Sequence, residues 1–316
     1  MTDRAMFENL VGPEDSRRLF GALQRGASRR DVLTMLMAGG MQATLAAGAA
    51  TWASTAHAQT PRKGGRITVA SSSTGVNDTL DPARQSSHID YCRGFMFYNG
   101  LTVLDGSLTP RPQLAEEFTT RDAKTWVFKL RKDVAFHDSK RLTPADVVFS
   151  IMRHKVAATA SRAKVLADQI EAVTASGPNE VTIVLTSPNA DLPVILGTYH
   201  FHIVKEGTTD FSAGIGTGPY KLKEFKPGVR SVAVRNENYW KPNRPYLDEI
   251  ELVGISDESA RVNGLLAGQL DLVVAVSPRS VERVLAGGKH GVFETKATSY
   301  TNLIMRRDSG PGTRLV

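Results

Sequence analysis

The chain of 316 residues holds a single cysteine, Cys92. One thiol cannot close an intramolecular disulfide, so no disulfide framework holds this fold. The G-x-S-x-G nucleophile elbow and the H-E-x-x-H zinc helix are both absent. Their absence removes the usual sequence grounds for a serine hydrolase or a zinc protease. Histidine is scarce, at seven, and the only close pair is His200 and His202. On a strand both would face one side, yet no carboxylate or third histidine stands at ligand spacing, so no metal and no cofactor are expected. The glycine-rich "GIGTGPY" (214–220) lacks a Gly-Lys-Ser/Thr ending, and Pro219 removes an amide donor. It reads as a place where two backbones, or a backbone and a ligand, approach closely, and not as a phosphate loop.

Charge of one sign is not concentrated either. Lys and Arg number 39 against 32 Asp and Glu, a net of +7, and the two signs interleave along the chain. A nucleic-acid partner would call for a basic face, so the charge reads as a solvated surface.

The first 58 residues of the sequence are different in kind. Arg29 and Arg30 precede a run without a charged residue from Val32 to His57, interrupted by glycines and polar residues and rich in alanine. It ends in Ala56-His57-Ala58, the small-x-small pattern of a signal-peptidase site. The paired arginines predict a twin-arginine export signal over residues 1–58, removed after Ala58. No cysteine stands just after the run, so a lipid anchor is not expected. Without those residues 258 remain, with 39 − 6 = 33 basic and 32 − 5 = 27 acidic side chains, or +6. The expected product is exported and soluble in the periplasm.

Beyond residue 60 the periodicities mix. Ile67 and Val69, then Trp126, Phe128 and Leu130, then Val181, Ile183 and Leu185 alternate as strands do. Residues 231–235 and 250–252 continue that pattern, and 270–276 reads as a buried strand. Thr143-Pro144-Ala145-Asp146 is a helix start, with Val148, Ile151 and Met152 on one face. Further helices are expected over 162–173 and 259–266, the latter stopping near Gly268. Mixed elements of this kind indicate an α/β or α+β chain.

Five blocks in order carry a resemblance: "LAEEFTTRDAKTWVFKLRKDVAF", "FHDSKRLTPADVVFS", "GTGPYKL", "NENYW" and "YLDEIEL". Within the first, Ala115, Asp122, Trp126, Leu130, Arg131, Asp133 and Phe136 keep a signature spacing. Together the blocks resemble the extracytoplasmic solute-binding proteins of family 5, the peptide, nickel and oligosaccharide receptors of ABC importers. The resemblance implies an α/β, periplasmic-binding-protein type II fold, bilobal with an additional domain. It implies a discontinuous lobe I at 59–96 and 197–274, the extra domain at 97–196, and the start of lobe II at 275–316. The second lobe is expected to be incomplete, since relatives continue past this C-terminus.

It also implies a binding protein and not an enzyme, a monomeric receptor that hands its solute to an inner-membrane permease and its ATPase. Ligand contacts are expected from loops at the sheet edges: Ser72, Ser73, Thr74 and Asn77, then Tyr98 and Asn99. Tyr199, His200, Phe201 and His202 follow, with Thr217, Gly218 and Tyr220 of the glycine loop. Aromatic walls and orienting hydroxyls are what such a pocket needs. Di- and oligopeptides are the expected solutes. The alternatives are a nickel chelate, an opine, a sugar or haem, a periplasmic hydrolase, and a peptide-holding chaperone.

Overall fold

The computed structural model describes residues 62–294. Arg29, Arg30, Ala56 and Ala58, and with them the export signal, lie outside the described residues. Along the chain, β1 (Arg66–Ser71) and a single-turn helix at Pro82–Arg84 precede α1 (His88–Phe97). Then come β2 (Thr102–Leu104), β3 (Pro110–Pro112), β4 (Ala115–Thr120), β5 (Thr125–Leu130) and α2 (Pro144–Met152). The one-turn α3 (Lys164–Ala167) leads to β6 (Ile170–Gly177), β7 (Glu180–Leu185), α4 (Leu192–Leu196) and a single turn at Tyr199–Phe201. The last part holds β8 (Tyr220–Lys226), β9 (Arg230–Arg235), β10 (Glu249–Gly254), α5 (Glu258–Leu266), β11 (Leu272–Val273) and α6 (Pro278–Leu285).

The strands form two principal sheets. One has the order β11-β1-β10-β9-β8, with β1 parallel to both β10 and β11 and the β8–β9–β10 side antiparallel. The other is antiparallel, in the order β4-β5-β7-β6. In β5 and β7 the alternation read from the sequence is real: Trp126, Phe128, Leu130, Val181, Ile183 and Leu185 are all buried. Each such side chain contributes about 1.5–3 kcal/mol relative to exposure. They join Val147 and Ile151 of α2 in one core. Helix α2 starts as its sequence requires. Thr143 is the N-cap, Pro144 opens the first turn, and the Asp146 carboxylate accepts from the Thr143 amide at 2.7 Å. Its innermost side is Val147, Ser150 and Ile151, so the face expected at Val148 and Met152 is only its flank.

The other core lies under the five-stranded sheet and includes Leu80, Ile89, Phe97, Tyr98, Val204, Tyr220, Ala233 and Leu252. The chain passes from this core to the first one between Tyr98 and Leu101 and returns between Ile203 and Val204. The two crossings are tied together, Ile203 N donating to Asn99 O at 2.8 Å.

Two element expectations are corrected. The helix over 162–173 is a single turn, and from Ile170 the chain is strand β6. Ile170, Val173 and Thr174 pair with Leu185, Ile183 and Thr182 of β7 across the turn at Pro178-Asn179, with register shifts in the ladder. Those bulges bring Ile170 and Val173 to the same buried side at a spacing of three, which imitates a helix. The buried strand at 270–276 is only Leu272–Val273, an edge strand with Leu272 exposed. No helix among the described residues is long and apolar enough to cross a membrane.

Candidate functional site

Strands β1, β10 and β11 run parallel, so their carboxyl ends share one side of the sheet. Open α/β sheets bind ligands at such edges. There the backbone stays paired: Ser71 O accepts from Ile255 N at 2.9 Å, and Ala70 O from Val274 N at 3.1 Å. The chain leaving β1 then forms the loop of Ser72, Ser73 and Thr74. Asp78 closes this loop, accepting from Thr74 Oγ1 and Gly75 N at 3.0 Å each and from Gly228 N of the β8–β9 turn at 3.2 Å. Arg93 of α1 stands behind Asp78 and has no exposed surface. Its NH1 lies 3.1 Å from Asp78 and 2.8 Å from Asp90, its Nε donates to Ser231 Oγ at 2.7 Å, and it lies over the Phe225 ring. A buried guanidinium between two carboxylates holds the loop to helix and sheet together, and removing one partner would strand the others in the interior. Asn77, at the tip, faces solvent beside the exposed Val76.

From the loop a strip of polar and aromatic groups runs along the outer side of α1. Ser73 Oγ accepts from His88 N at 2.9 Å, serving the open amino end of the helix. The His88 ring meets Tyr91 edge-on at 6.2 Å. Tyr91 stacks on Tyr199 at 3.6 Å between centroids and stands 6.1 Å from His200, ring to ring. The His200 Nε2–H donates to the Gln85 carbonyl at 3.0 Å, and burial lowers its pKa. His88 is exposed and Ser73, Tyr91, Tyr199 and His200 are half-buried. Burial and the Tyr199 hydroxyl hold the Tyr91 phenol protonated. The strip therefore offers neutral rings, a hydroxyl and an exposed imidazole, which suits stacking and hydrogen bonding to a polar organic ligand.

The remaining predicted residues lie inside. Gly216 and Gly218 press against the carboxyl end of α1: a Cβ on them would sit 2.1 Å from Phe97 O and 2.4 Å from Met96 O. Gly218 N donates to Phe97 O at 2.9 Å. His137 fastens the same loop. Its Nδ1 accepts from Gly216 N at 3.3 Å, so Nε2 carries the proton and donates to Gly218 O at 3.0 Å. Thr217 Oγ1 and Trp240 Nε1 both donate to Asn99 Oδ1, at 3.3 and 3.1 Å. The glycine loop is thus a backbone–backbone contact. Asn99, Thr217 and Gly218 spend their polar groups on the fold, as part of the bonding between the crossing segments.

The segment His200-Phe201-His202 is not a strand: a single helical turn covers Tyr199–Phe201 and His202 follows it. Phe201 packs in the core, 4.7 Å from the His154 ring. His202 is buried between Phe95 and Tyr98, and desolvation pushes it down to about 3. Tyr98 and Tyr220 belong to the core beneath the five-stranded sheet. A ligand role for Phe201, His202, Tyr98 and Tyr220 finds little exposed surface here, because packing buries their rings. Among the described residues no three His, Cys, Asp or Glu side chains converge as a metal site would require.

The sequence reading missed His88 and Tyr91. Their signal was available, since Ser87 caps a helix on which positions 88, 91 and 95 share a side and carry rings that need no core. Arg93 gave none, because nothing local marks an arginine as buried.

The family model for bacterial extracellular solute-binding proteins, family 5 Middle, matches residues 109–313. The oligopeptide-binding protein AppA of Bacillus subtilis is 30% identical over 226 residues, covering 67% of this chain and 41% of AppA. The structure of AgaA from A. tumefaciens R10, in complex with agropinic acid, superposes with a TM-score of 0.65 at 25% identity. It covers 71% of this chain and 46% of AgaA. A nickel ABC transporter structure from Bacillus halodurans matches with a TM-score of 0.62 at 28% identity, over 70% of this chain and 45% of that one. Curated relatives are matched over 35% to 44% of their own lengths.

Proposed function

The chain belongs to the bacterial extracellular solute-binding proteins of family 5, and on that premise we propose that it is the receptor of an ABC importer. It captures a small solute outside the cytoplasmic membrane and delivers it to a permease driven by an ATPase. Di- and oligopeptides are the solute class we assign first, in line with the name of the AppA relative. The observation that carries the reading is the strip from Ser73 through His88, Tyr91 and Tyr199 to His200, at the carboxyl end of β1. Stacked phenols bind peptide planes and side chains without selecting among them, and Ser73 and His88 orient a polar group. Ser73 Oγ and His88 Nδ1 also stand 3.5 Å apart, and the reading of a receptor and not an enzyme rests on the family to which the chain belongs.

Export through the twin-arginine signal at Arg29 and Arg30, with cleavage after Ala58 and residence in the periplasm, is part of the same proposal. So is the division into a discontinuous lobe and an extra domain, which the two separate sheets support. We place the crossings at 98–101 and 203–204, where the cores change. The opine reading is the second one, and the likeness to AgaA with agropinic acid favours it.

The test is a thermal-shift series on the protein purified from its own cells and stripped of bound solute by mild denaturation and refolding. Stabilisation by mixed tripeptides and not by an opine or nickel–histidine supports the peptide reading. Stabilisation by the opine alone replaces it, and no response to any of the three counts against a receptor of this class.

A further inference from the structure

Three side chains on the inner side of α1 carry buried polar atoms that nothing among the described residues bonds, and none belongs to the strip just described. Gln85 has no exposed surface, and neither its amide oxygen nor its amide nitrogen has a partner. His202 Nδ1 and the Tyr98 hydroxyl are unpartnered as well, with His202 at 3% exposure and Tyr98 at 1%. Two of the three, Gln85 and His202, meet at Gly94. A Cβ there would lie 2.8 Å from Gln85 Oε1, 3.3 Å from Gln85 Nε2 and 3.3 Å from His202 Cε1. The Tyr98 ring, one helical turn on, lies nearly parallel to His202 at 6.3 Å, and Phe95 stands edge-on to His202 at 5.1 Å. Phe95 is itself exposed, so its ring forms the cover between this region and solvent.

Each buried polar group without a partner costs about 1–3 kcal/mol, a loss that an internal water bonded to two or more of them removes. Gln85 and His202 approach the same glycine without bonding each other, and a water between them would bond both. We infer that the space bounded by Gln85, His202 and Tyr98 is a buried hydration site, closed by Phe95. The ligand is neutral water, because the groups that face it are an amide, an imidazole and a phenol, each a donor as well as an acceptor. The nearest ions do not compete for the role: Arg153 already holds Asp81 through two bonds of 2.8 and 2.7 Å. Burial keeps His202 uncharged throughout the physiological range. Gly94 is then explained by the amide against it, since any larger residue would push Gln85 off the site.

A crystal structure of the protein at a resolution that shows ordered solvent tests the inference. The expected result is a water within about 2.7–3.2 Å of the Gln85 amide and of His202 Nδ1. Direct bonding of Gln85 to His202, or absence of solvent density between them, overturns it. A second arm uses Gln85→Met, His202→Phe and the pair. Each single variant leaves the other group unpaired and should lower Tm by about 2–4 °C. The double variant should lose no more than the larger single loss, and additive losses overturn the shared site.

Discussion

Arg93 is the residue on which the candidate site depends most for its shape. Its guanidinium neutralises Asp78 and Asp90, and Asp78 in turn holds the loop of Ser72–Thr74. Replacing it, as Arg93→Met, leaves two carboxylates buried without a cation, and a loss of about 3–5 kcal/mol in denaturant unfolding is expected. Tyr199 is the opposite case. It is half-buried, stacks on Tyr91 and supports no core. Tyr199→Ala should weaken solute binding at least tenfold, equivalent to about 1.4 kcal/mol, while Tm stays within a few degrees. Titration calorimetry with the solute that the thermal-shift series identifies, beside a melting curve, checks both halves. At this scale the sequence was partly legible: Ser73, Tyr199 and His200 were read as site residues and the structure aligns them, though their part in binding is still a proposal. Tyr98, Phe201, His202 and Tyr220 were chosen by chemical type, and type does not reveal whether a ring faces solvent or a core.

Among the elements, the contact between the glycine loop and the end of α1 rests on missing side chains. Gly218→Ala would force a Cβ to within 2.4 Å of backbone, which no side-chain adjustment relieves. It should cost several kcal/mol and raise amide exchange at Gly216 and Tyr98, whose N–H groups are bonded across or beside this contact. The legibility of elements followed the same logic. Strands β5 and β7 were readable because their alternation is uninterrupted. Strand β6 was not, because bulges in its ladder put buried residues at a spacing that also fits a helix. The start of α2 was readable from Thr143 through Asp146 because its capping is local. Its buried side was misjudged by one position, since only the sheet it packs on decides which flank is innermost.

For the whole molecule, the buried histidines set the response to acid. Burial, with Arg153 adjacent, lowers His154 to about 4, burial lowers His202 to about 3, and His137 and His200 are also lowered. Each binds its proton more weakly folded than unfolded, where the reference is 6.5. Protons therefore favour the unfolded chain below that value. Stability should be flat above about pH 7.5, fall by on the order of a few kcal/mol between pH 6.5 and 4, and level off once the folded groups also titrate. Denaturant midpoints at half-unit pH steps measure this, and a midpoint constant down to pH 4.5 would refute it. The family resemblance implies a discontinuous lobe and an extra domain. It puts the crossings at 96/97 and 196/197; we place them at 98–101 and 203–204, because Phe201 and Ile203 enter the core of the antiparallel sheet.

The receptor reading is tested most directly by native mass spectrometry of the protein purified from its own cells, compared with its Tyr199→Ala variant. The account predicts a small-molecule adduct on the parent protein, released on gentle denaturation and identified as short peptides, and its marked depletion in the variant. A bare mass for both, or an adduct of equal occupancy on both, would contradict it.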